Sequence, residues 1–387
     1  MSDTCPENRA LPATARHADD AVSESVIRVS RRPRPSSTAA KHKATRRTAP
    51  ERSQALRHTA QALFVALNGW IGWQFYLWVR ALELGLQPMP VARPPGVEGW
   101  LPIVGLMNTK EFLATGVVPS IHPAAMVLFV AFVAISALLK RSFCSWLCPI
   151  GTLSEALWKA GRALFGRNFR LPRWIDLPLR ALKYLVLGFF LVAVGTMSAG
   201  AIDAFMHAPF GLIADVKLLD FFREVTPALL ESLALLALLS MLVQNFWCRY
   251  LCPYGALMGL VSLLSPLKIR RDAQACIDCG KCTRACPAGL PVQRLTQVRS
   301  AECLACMSCV AACPVEHGLQ FALPPRRAPD AARRWRARIA SPAATAAAIA
   351  LLLVGAIGAA KASGHWRTPV LHRVYVELVT HADAWSH

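Results

Sequence analysis

The sequence is poor in acidic residues and in charged residues generally. Only 17% of its 387 residues are charged, and 23 Asp and Glu stand against 43 Lys and Arg. This low charged fraction, with 54% hydrophobic residues and a mean hydropathy of +0.36, is not typical of an ordinary soluble domain. The composition therefore predicts a membrane protein.

Motifs for several common kinds of cofactor and catalysis are also absent. The chain has no C-x-x-C-H haem attachment, no G-x-G-x-x-G dinucleotide loop and no G-x-S-x-G nucleophile elbow. Nothing in these patterns indicates a c-type cytochrome, a nicotinamide-dependent dehydrogenase or an α/β-hydrolase. The chemistry has to be sought in the cysteines, and every one of the thirteen except Cys5 falls in a motif.

Eight cysteines form two copies of the motif C-x2-C-x2-C-x3-C-P, one from Cys276 to Pro287 and one from Cys303 to Pro314. Three thiolates of each copy bind one cubane cluster, and the fourth, beside a proline, reaches the other cluster. We therefore expect two [4Fe-4S] clusters, one held by Cys276, Cys279, Cys282 and Cys313, the other by Cys303, Cys306, Cys309 and Cys286. C-x2-C pairs also bind zinc, but the 2-2-3 spacing followed by proline favours iron–sulfur clusters.

Apolar segments long enough to cross a membrane occur five times. A bilayer core of about 30 Å requires about 20 helical residues, and the candidates are Thr59–Val79, His122–Leu139, Leu182–Ile202, Pro227–Phe246 and Pro342–Ala360. For the first of them a buried soluble helix is the alternative, since Asn68 and Gln74 interrupt it.

The basic residues are concentrated in alternate loops between these segments. Twelve precede the first span, eight lie in Lys140–Arg180 and fourteen in Arg249–Arg338, whereas the intervening loops carry few. This is the positive-inside pattern, which predicts a cytoplasmic amino terminus and cluster module and an outer carboxyl terminus. It explains the net charge of +20 without a nucleic-acid partner. We expect a multi-pass protein of the bacterial inner membrane, with reduced thiols and no disulfides.

The remaining four cysteines belong to an internal repeat. Arg141 to Leu157 reads RSFCSWLCPIGTLSEAL, and Asn245 to Leu260 reads NFWCRYLCPYGALMGL, so each copy contains C-x3-C-P. On a helix, this spacing places both sulfurs of a pair on one face. Three roles remain open for Cys144, Cys148, Cys248 and Cys252: redox-active dithiols, joint ligation of a further metal or cluster, or packing as small hydrophobic residues.

The predicted fold class is an α-helical integral membrane protein of about five transmembrane helices, with an inserted cytoplasmic two-cluster ferredoxin-like α+β module. We divide the chain into a disordered basic tail (1–57), a four-helix membrane domain (58–264), the ferredoxin module (265–325), a basic linker with a fifth span (326–361) and a short periplasmic tail (362–387). The tail before the first span has too few apolar residues to offset the entropy of ordering. Histidines near the carboxyl terminus suggest either a metal site or a solvated helix, and their spacing favours the helix.

Over residues 59 to 325, the two C-x3-C-P motifs followed by a two-cluster ferredoxin resemble the NapH-type quinol dehydrogenase subunits and the carboxyl-terminal half of NosR. The resemblance implies a membrane-bound iron–sulfur protein that moves electrons between the quinone pool or a cytoplasmic reductant and a periplasmic acceptor, such as a cytochrome or reductase. The chain departs from NosR in lacking the large periplasmic flavin domain and an S/T-G-A-S/T flavinylation sequence, and from both in its long basic tail and fifth span.

Two other functions compete with respiratory electron transfer. One is an electron donor for metal or cofactor maturation of a respiratory enzyme, as in FixG-type assembly factors, although those carry an outer β-domain. The other is a redox sensor, for which no output domain is visible. A quinol site would also need proton acceptors near the outer face, and Asp203, His207 and His122 are the candidates, against the alternative that they are only solvated helix ends.

Overall fold

The structure is a computed structural model, and it describes residues 47, 53–169, 171–324 and 339–381. Fifteen α-helices are described, and most belong to one helical bundle. In chain order they are α1 Ser53–Glu83, α2 Pro102–Thr115, α3 Pro123–Leu138, α4 Ser142–Trp146, α5 Pro149–Phe165, α6 Arg173–Thr196, α7 Ala199–His207, α8 Pro209–Leu212, α9 Ala214–Arg223, α10 Pro227–Leu242, α11 Pro253–Val261, α12 Lys281–Arg284, α13 Ser308–Ala311, α14 Pro342–Ala362 and α15 His372–Thr380.

Proline sets the start of many of these helices. It occupies the first helical position of α2, α3, α5, α8, α10, α11 and α14. Proline suits that position because its missing N–H would have no partner there and its φ is already helical. Ser198, Thr226 and Ser341 add side-chain caps to α7, α10 and α14.

Three described helices are long and apolar enough to cross a membrane: α1, α6 and α14. The number rises to four if α9 and α10, which meet at a bend of 85°, are counted as one broken span. The second predicted segment, His122–Leu139, corresponds to α3, which has 16 residues, or about 24 Å at 1.5 Å per residue. The chain is thus a helical protein with three to four candidate spans, and the count of five stays a prediction.

The short helix α3 is the centre of the bundle rather than a peripheral span. Ten of its 16 residues are buried, and it packs against α2, α11 and α14. Its segment is apolar on every side, which is the pattern of a helix enclosed by other helices. Hydropathy alone does not distinguish such a helix from one that faces lipid.

A small module follows α11 and contains both ferredoxin motifs. It is closed by two antiparallel strands, β1 Lys268–Arg271 and β2 Leu319–Ala322, in the register Lys268↔Ala322 to Arg271↔Leu319. The short helices α12 and α13 each begin within one cysteine motif. Of the predicted tail 1–57, residues 1–46 and 48–52 lie outside the described residues. The last five residues of this predicted tail belong to α1, which begins at Ser53. Residues 325–338 of the predicted linker and 382–387 of the outer tail also lie outside the described residues.

The module and the membrane helices share one hydrophobic core. Phe132 and Ile135 of α3 belong to the same buried cluster as Ile269, Val292 and Phe321 of the module. Polar contacts cross the same boundary, among them Ser145 Oγ to Leu304 O at 2.6 Å, Lys183 Nζ to Glu302 Oε1 at 2.6 Å and Gln54 Nε2 to Cys306 O at 2.9 Å. The module is therefore packed onto the helices and not merely tethered to them.

Candidate functional site

The eight ferredoxin cysteines line two small apolar cavities, four to each. One, which we call the proximal site because it lies against the membrane helices, is lined by Cys286, Cys303, Cys306 and Cys309. The other, the distal site, is lined by Cys276, Cys279, Cys282 and Cys313. In each site the fourth cysteine comes from the other motif. These are the same two sets of four that the spacing of the motifs gives.

The two cysteine loops have the same unusual backbone. Asp278 and Gly280 in the distal loop have φ of 54° and 69°, and Ala305 and Met307 in the proximal loop have φ of 50° and 56°. Both pairs occupy the second and fourth positions after the first cysteine. Such left-handed residues turn successive backbone N–H groups towards one point and create a concave surface for an anion. A thiolate-ligated cluster is anionic, so the donor set and the loop geometry both fit it.

The two sites differ in their exposure to solvent. Cys286, Cys303 and Cys309 of the proximal site are each less than a tenth exposed, whereas all four distal cysteines are half-buried. Burial raises the pKa of Cys286 to about 12. Because iron binds the thiolate, filling the proximal site must displace protons that these buried thiols otherwise keep.

The four cysteines of the C-x3-C-P repeat, the core cysteines, converge on one place. Cys144, Cys148, Cys248 and Cys252 all line the same cavity of about 440 Å³. Cys148 and Cys252 hold equivalent positions, as the residues before Pro149 and Pro253 that begin α5 and α11. The two copies of the repeat thus bring their thiols together from positions more than one hundred residues apart in the sequence.

The glycine of each C-P-x-G sequence is required by close packing. A Cβ on Gly151 would collide with the carbonyl oxygen of Cys144, and one on Gly255 would collide with the guanidinium of Arg141. Gly255 also donates its backbone N–H to Cys252 Sγ at 3.2 Å. The shared glycine therefore lets the chain fold tightly around the thiols.

A buried arginine that the sequence reasoning missed lies among the core cysteines. Arg141 is 2% exposed, its Nε donates to Cys144 Sγ at 3.4 Å and its Nη2 donates to the carbonyl oxygen of Cys248 at 3.4 Å. Among the described residues, the nearest carboxylate oxygen belongs to Glu302, 3.9 Å from Nη1. The signal that might have revealed it is its position three residues before the first cysteine of the repeat.

The rest of this cavity, the apolar cavity, is lined mainly by hydrophobic side chains of the bundle. They include Phe64, Leu67, Leu128, Phe132, Phe143, Trp247, Tyr254, Leu353 and Ile357. Polar groups are few, and Asn68, Lys361 and Arg141 are among them. A cavity of this size with a few polar groups is typical of a site for a small hydrophobic ligand.

A second cavity, the bridging cavity, connects the core cysteines with the ferredoxin module. It measures about 420 Å³, and its lining includes Cys144 and Cys248 of the core cysteines and Cys306 of the proximal site. Arg57 and Glu155 also line it and form a bidentate ion pair. Arg57 Nη1 donates to Glu155 Oε2 at 2.6 Å, and Nη2 donates to Oε1 at 2.7 Å. The cavities and their shared cysteines form an unbroken series from the proximal site to the apolar cavity.

The proposed proton acceptors do not form one group. Asp203 and His207 make an exposed pair on α7, 3.2 Å apart. His122 is instead fully buried, with Nε2 donating to the carbonyl oxygen of Gly211 at 2.9 Å and Nδ1 3.3 Å from Glu98 Oε1. His122 therefore belongs to a buried ionic network.

The carboxyl-terminal histidines gather no metal site within the described part of the chain. His372 begins α15, and His381 follows it. Across residues 47, 53–169, 171–324 and 339–381, no three His, Cys, Asp or Glu side chains are placed to hold a single metal ion. His387 lies outside the described residues.

Comparison with known proteins assigns the family. A "4Fe-4S binding domain" model matches residues 121–172 and again 225–272, and a "4Fe-4S dicluster domain" model matches residues 268–314. The protein YccM of Escherichia coli (strain K12) is 49% identical over 342 residues, which are 86% of this chain and 91% of YccM.

The chain belongs to the NapH/NosR-type membrane polyferredoxins. The ferredoxin-type protein NapH of Escherichia coli (strain K12) is 28% identical over 52% of this chain and 69% of its own length. The regulatory protein NosR of Pseudomonas aeruginosa is 29% identical over 49% of this chain and 26% of its own length. No solved structure matches the chain. As a polyferredoxin, the chain is an iron–sulfur electron-transfer protein of a membrane.

Proposed function

We propose that this polyferredoxin passes electrons between a quinone pool or a cytoplasmic reductant and a periplasmic respiratory acceptor. The distal and proximal sites each hold one [4Fe-4S] cluster on the cytoplasmic side, with the two sets of four cysteines as ligands. Such clusters supply one-electron transfer at potentials from about −700 to +450 mV. The core cysteines act as redox or ligand groups between the module and the membrane helices.

The observation that carries this proposal is the unbroken series of cysteine-lined cavities. The half-buried distal site is the one that a soluble donor can approach. The proximal site shares Cys306 with the bridging cavity, which shares Cys144 and Cys248 with the apolar cavity. Electron carriers placed along this series would connect the cytoplasmic surface with the interior of the membrane domain.

The chemistry of the apolar cavity supports a quinone as the membrane partner. Aromatic and aliphatic side chains from α1, α3 and α14 surround it, and they match the hydrophobic ring and tail of such a molecule. Asn68 and Lys361 also line the cavity and provide polar groups that could bind the oxygens of the quinone ring. One of these side chains, Asn68, is already held in place, since its Oδ1 accepts a hydrogen bond from Trp100 Nε1 at 3.1 Å.

The test is reduction of the purified protein by a quinol in detergent. We expect a quinol analogue to bleach the cluster absorbance, and Leu353→Trp to slow this by about tenfold or more because the larger ring fills the cavity. Leu351→Trp is the matched control: it is on the same helix but is 75% exposed, so its rate should be that of the wild type.

Two results would contradict the quinone part of the proposal. One is equal rates in both tryptophan variants, and the other is a protein that only a low-potential reductant reduces. The second result would favour electron donation to the maturation of a respiratory enzyme instead.

A further inference from the structure

We infer that the four core cysteines jointly hold a third iron–sulfur cluster, placed between the proximal site and the apolar cavity. The inference deepens the proposed function, because it specifies what the core cysteines carry. Cys144, Cys148, Cys248 and Cys252 supply the four thiolate ligands that both [2Fe-2S] and [4Fe-4S] clusters use. The iron count of the purified protein distinguishes these two forms.

The first argument is the convergence of the thiols. Each copy of the repeat contributes only two cysteines, and two thiolates do not complete the ligand set of either cluster type. The fold brings the two pairs to the wall of one cavity. Packing of helix ends would explain each pair separately, but it gives no reason for both pairs to face one shared cavity.

The second argument concerns the charge around Arg141. Its guanidinium is buried, and the nearest carboxylate of the described residues, that of Glu302, is already paired with the buried Lys183 at 2.6 Å. One carboxylate therefore faces two buried cations. A buried charge without a partner is strongly unfavourable, and Arg141 directs its Nε at Cys144 Sγ. A set of thiolates on a cluster would supply the missing negative charge.

The third argument is the backbone around the cysteines. Gly255 N–H donates to Cys252 Sγ at the start of α11, and the equivalent Cys148 lies at the start of α5. Helix amino termini favour negative charge through their free N–H groups and the helix dipole. Both helix starts thus stabilise thiolates, as the loops of the distal and proximal sites do.

The position suggests a relay role. Cys144 and Cys248 also line the bridging cavity, which the proximal ligand Cys306 lines as well. One electron would enter this cluster from the proximal site and leave towards the apolar cavity. Within the cluster one iron is reduced and then reoxidised, and no bond is made or broken.

The experiment measures iron and acid-labile sulfide per chain in protein purified without oxygen. Two cubane clusters give about eight iron atoms, and a third cluster raises this to about ten or about twelve. The double variant Cys144→Ala with Cys248→Ala should fall back to about eight, while Cys5→Ala, a cysteine outside every motif, should not change the count. Electron paramagnetic resonance should show the loss of one signal in the double variant and retention of the other two.

A reciprocal variant separates this inference from the assignment of the ferredoxin ligands. Cys276→Ala with Cys303→Ala should remove the distal and proximal clusters and leave about two or four iron atoms at the core cysteines. If this variant keeps all its iron, the ferredoxin assignment is wrong. The third cluster is refuted if the wild type contains about eight iron atoms that the core variant retains, or if the core thiols bind zinc or copper without sulfide.

Discussion

The ion cluster at Glu302 predicts how firmly the ferredoxin module is held on the membrane helices. Glu302 lies in the module and accepts from the buried Lys183 Nζ at 2.6 Å and from Tyr184 Oη at 3.1 Å, both on α6. Arg141 also faces this carboxylate, with its Nη1 3.9 Å from Glu302 Oε2. We expect Glu302→Gln to loosen the module, because glutamine keeps the shape of the side chain but not its charge.

The size of the effect follows from burial. Removing one partner of a buried ion pair costs about 3 to 5 kcal/mol. Lys183 is fully buried, but the Glu302 side chain is 13% exposed, so water compensates part of the loss and the lower end, about 3 kcal/mol, applies. At about 2 °C per kcal/mol for a large chain, the midpoint of thermal unfolding should fall by about 6 °C.

The assay is thermal unfolding of the purified protein in detergent at a fixed scan rate, since unfolding of such a protein is expected to be irreversible. Iron content before heating shows whether the clusters are intact. The matched control is Glu316→Gln in the same module, whose carboxylate is 48% exposed and, among the described residues, pairs with His317 at 3.4 Å. That change should alter stability by no more than about 0.5 kcal/mol. Equal midpoints for the two variants would show that the buried ions do not hold the module.

Two further predictions concern the repeat and the membrane topology. Gly255→Ala should destabilise the protein by about 1 to 3 kcal/mol, because the added Cβ would collide with the buried guanidinium of Arg141. The control is Gly188→Ala, since a Cβ there would have no neighbouring atom within 4 Å. Thermal unfolding compares the two variants, and equal stability would contradict the packing argument. A reporter that is active only outside the cytoplasm should be active when fused at His387 and silent after Arg173, on the positive-inside pattern; activity at both positions would refute the five-span topology.

The cysteine motifs show what a sequence can reveal without a structure. Ligands of an iron–sulfur loop are close in sequence, so their spacing alone predicts the two sets of four. The left-handed backbone at Asp278 and Ala305 could not be predicted from the sequence, since neither residue is a glycine. It is imposed by the loops that surround the cavities.

The core cysteines show where sequence reasoning ends. The repeat revealed two equivalent pairs, but the distance between Cys148 and Cys252 depends on the packing of α11 against α3 and α6 and of α5 against α10 and α1. The partners of Arg141 are equally non-local, because Cys248 and Glu302 come from distant parts of the chain. Hydropathy likewise marked α3 as a span, although burial in the bundle explains its apolar residues as well as lipid does.

The pairing of β1 with β2 has a consequence for how such a protein can be assembled from parts. Lys268 lies directly opposite Ala322, so the chain enters and leaves the module at neighbouring points, about 5 Å apart in an antiparallel pair. An insert whose ends are this close can be gained or exchanged without changing the distance between the points at which the host chain is cut. A chimaera that carries another dicluster ferredoxin between these two strands would keep the connection from α11 to α14, provided that the new module also reproduces the contacts with the helices, such as that of Glu302 with Lys183.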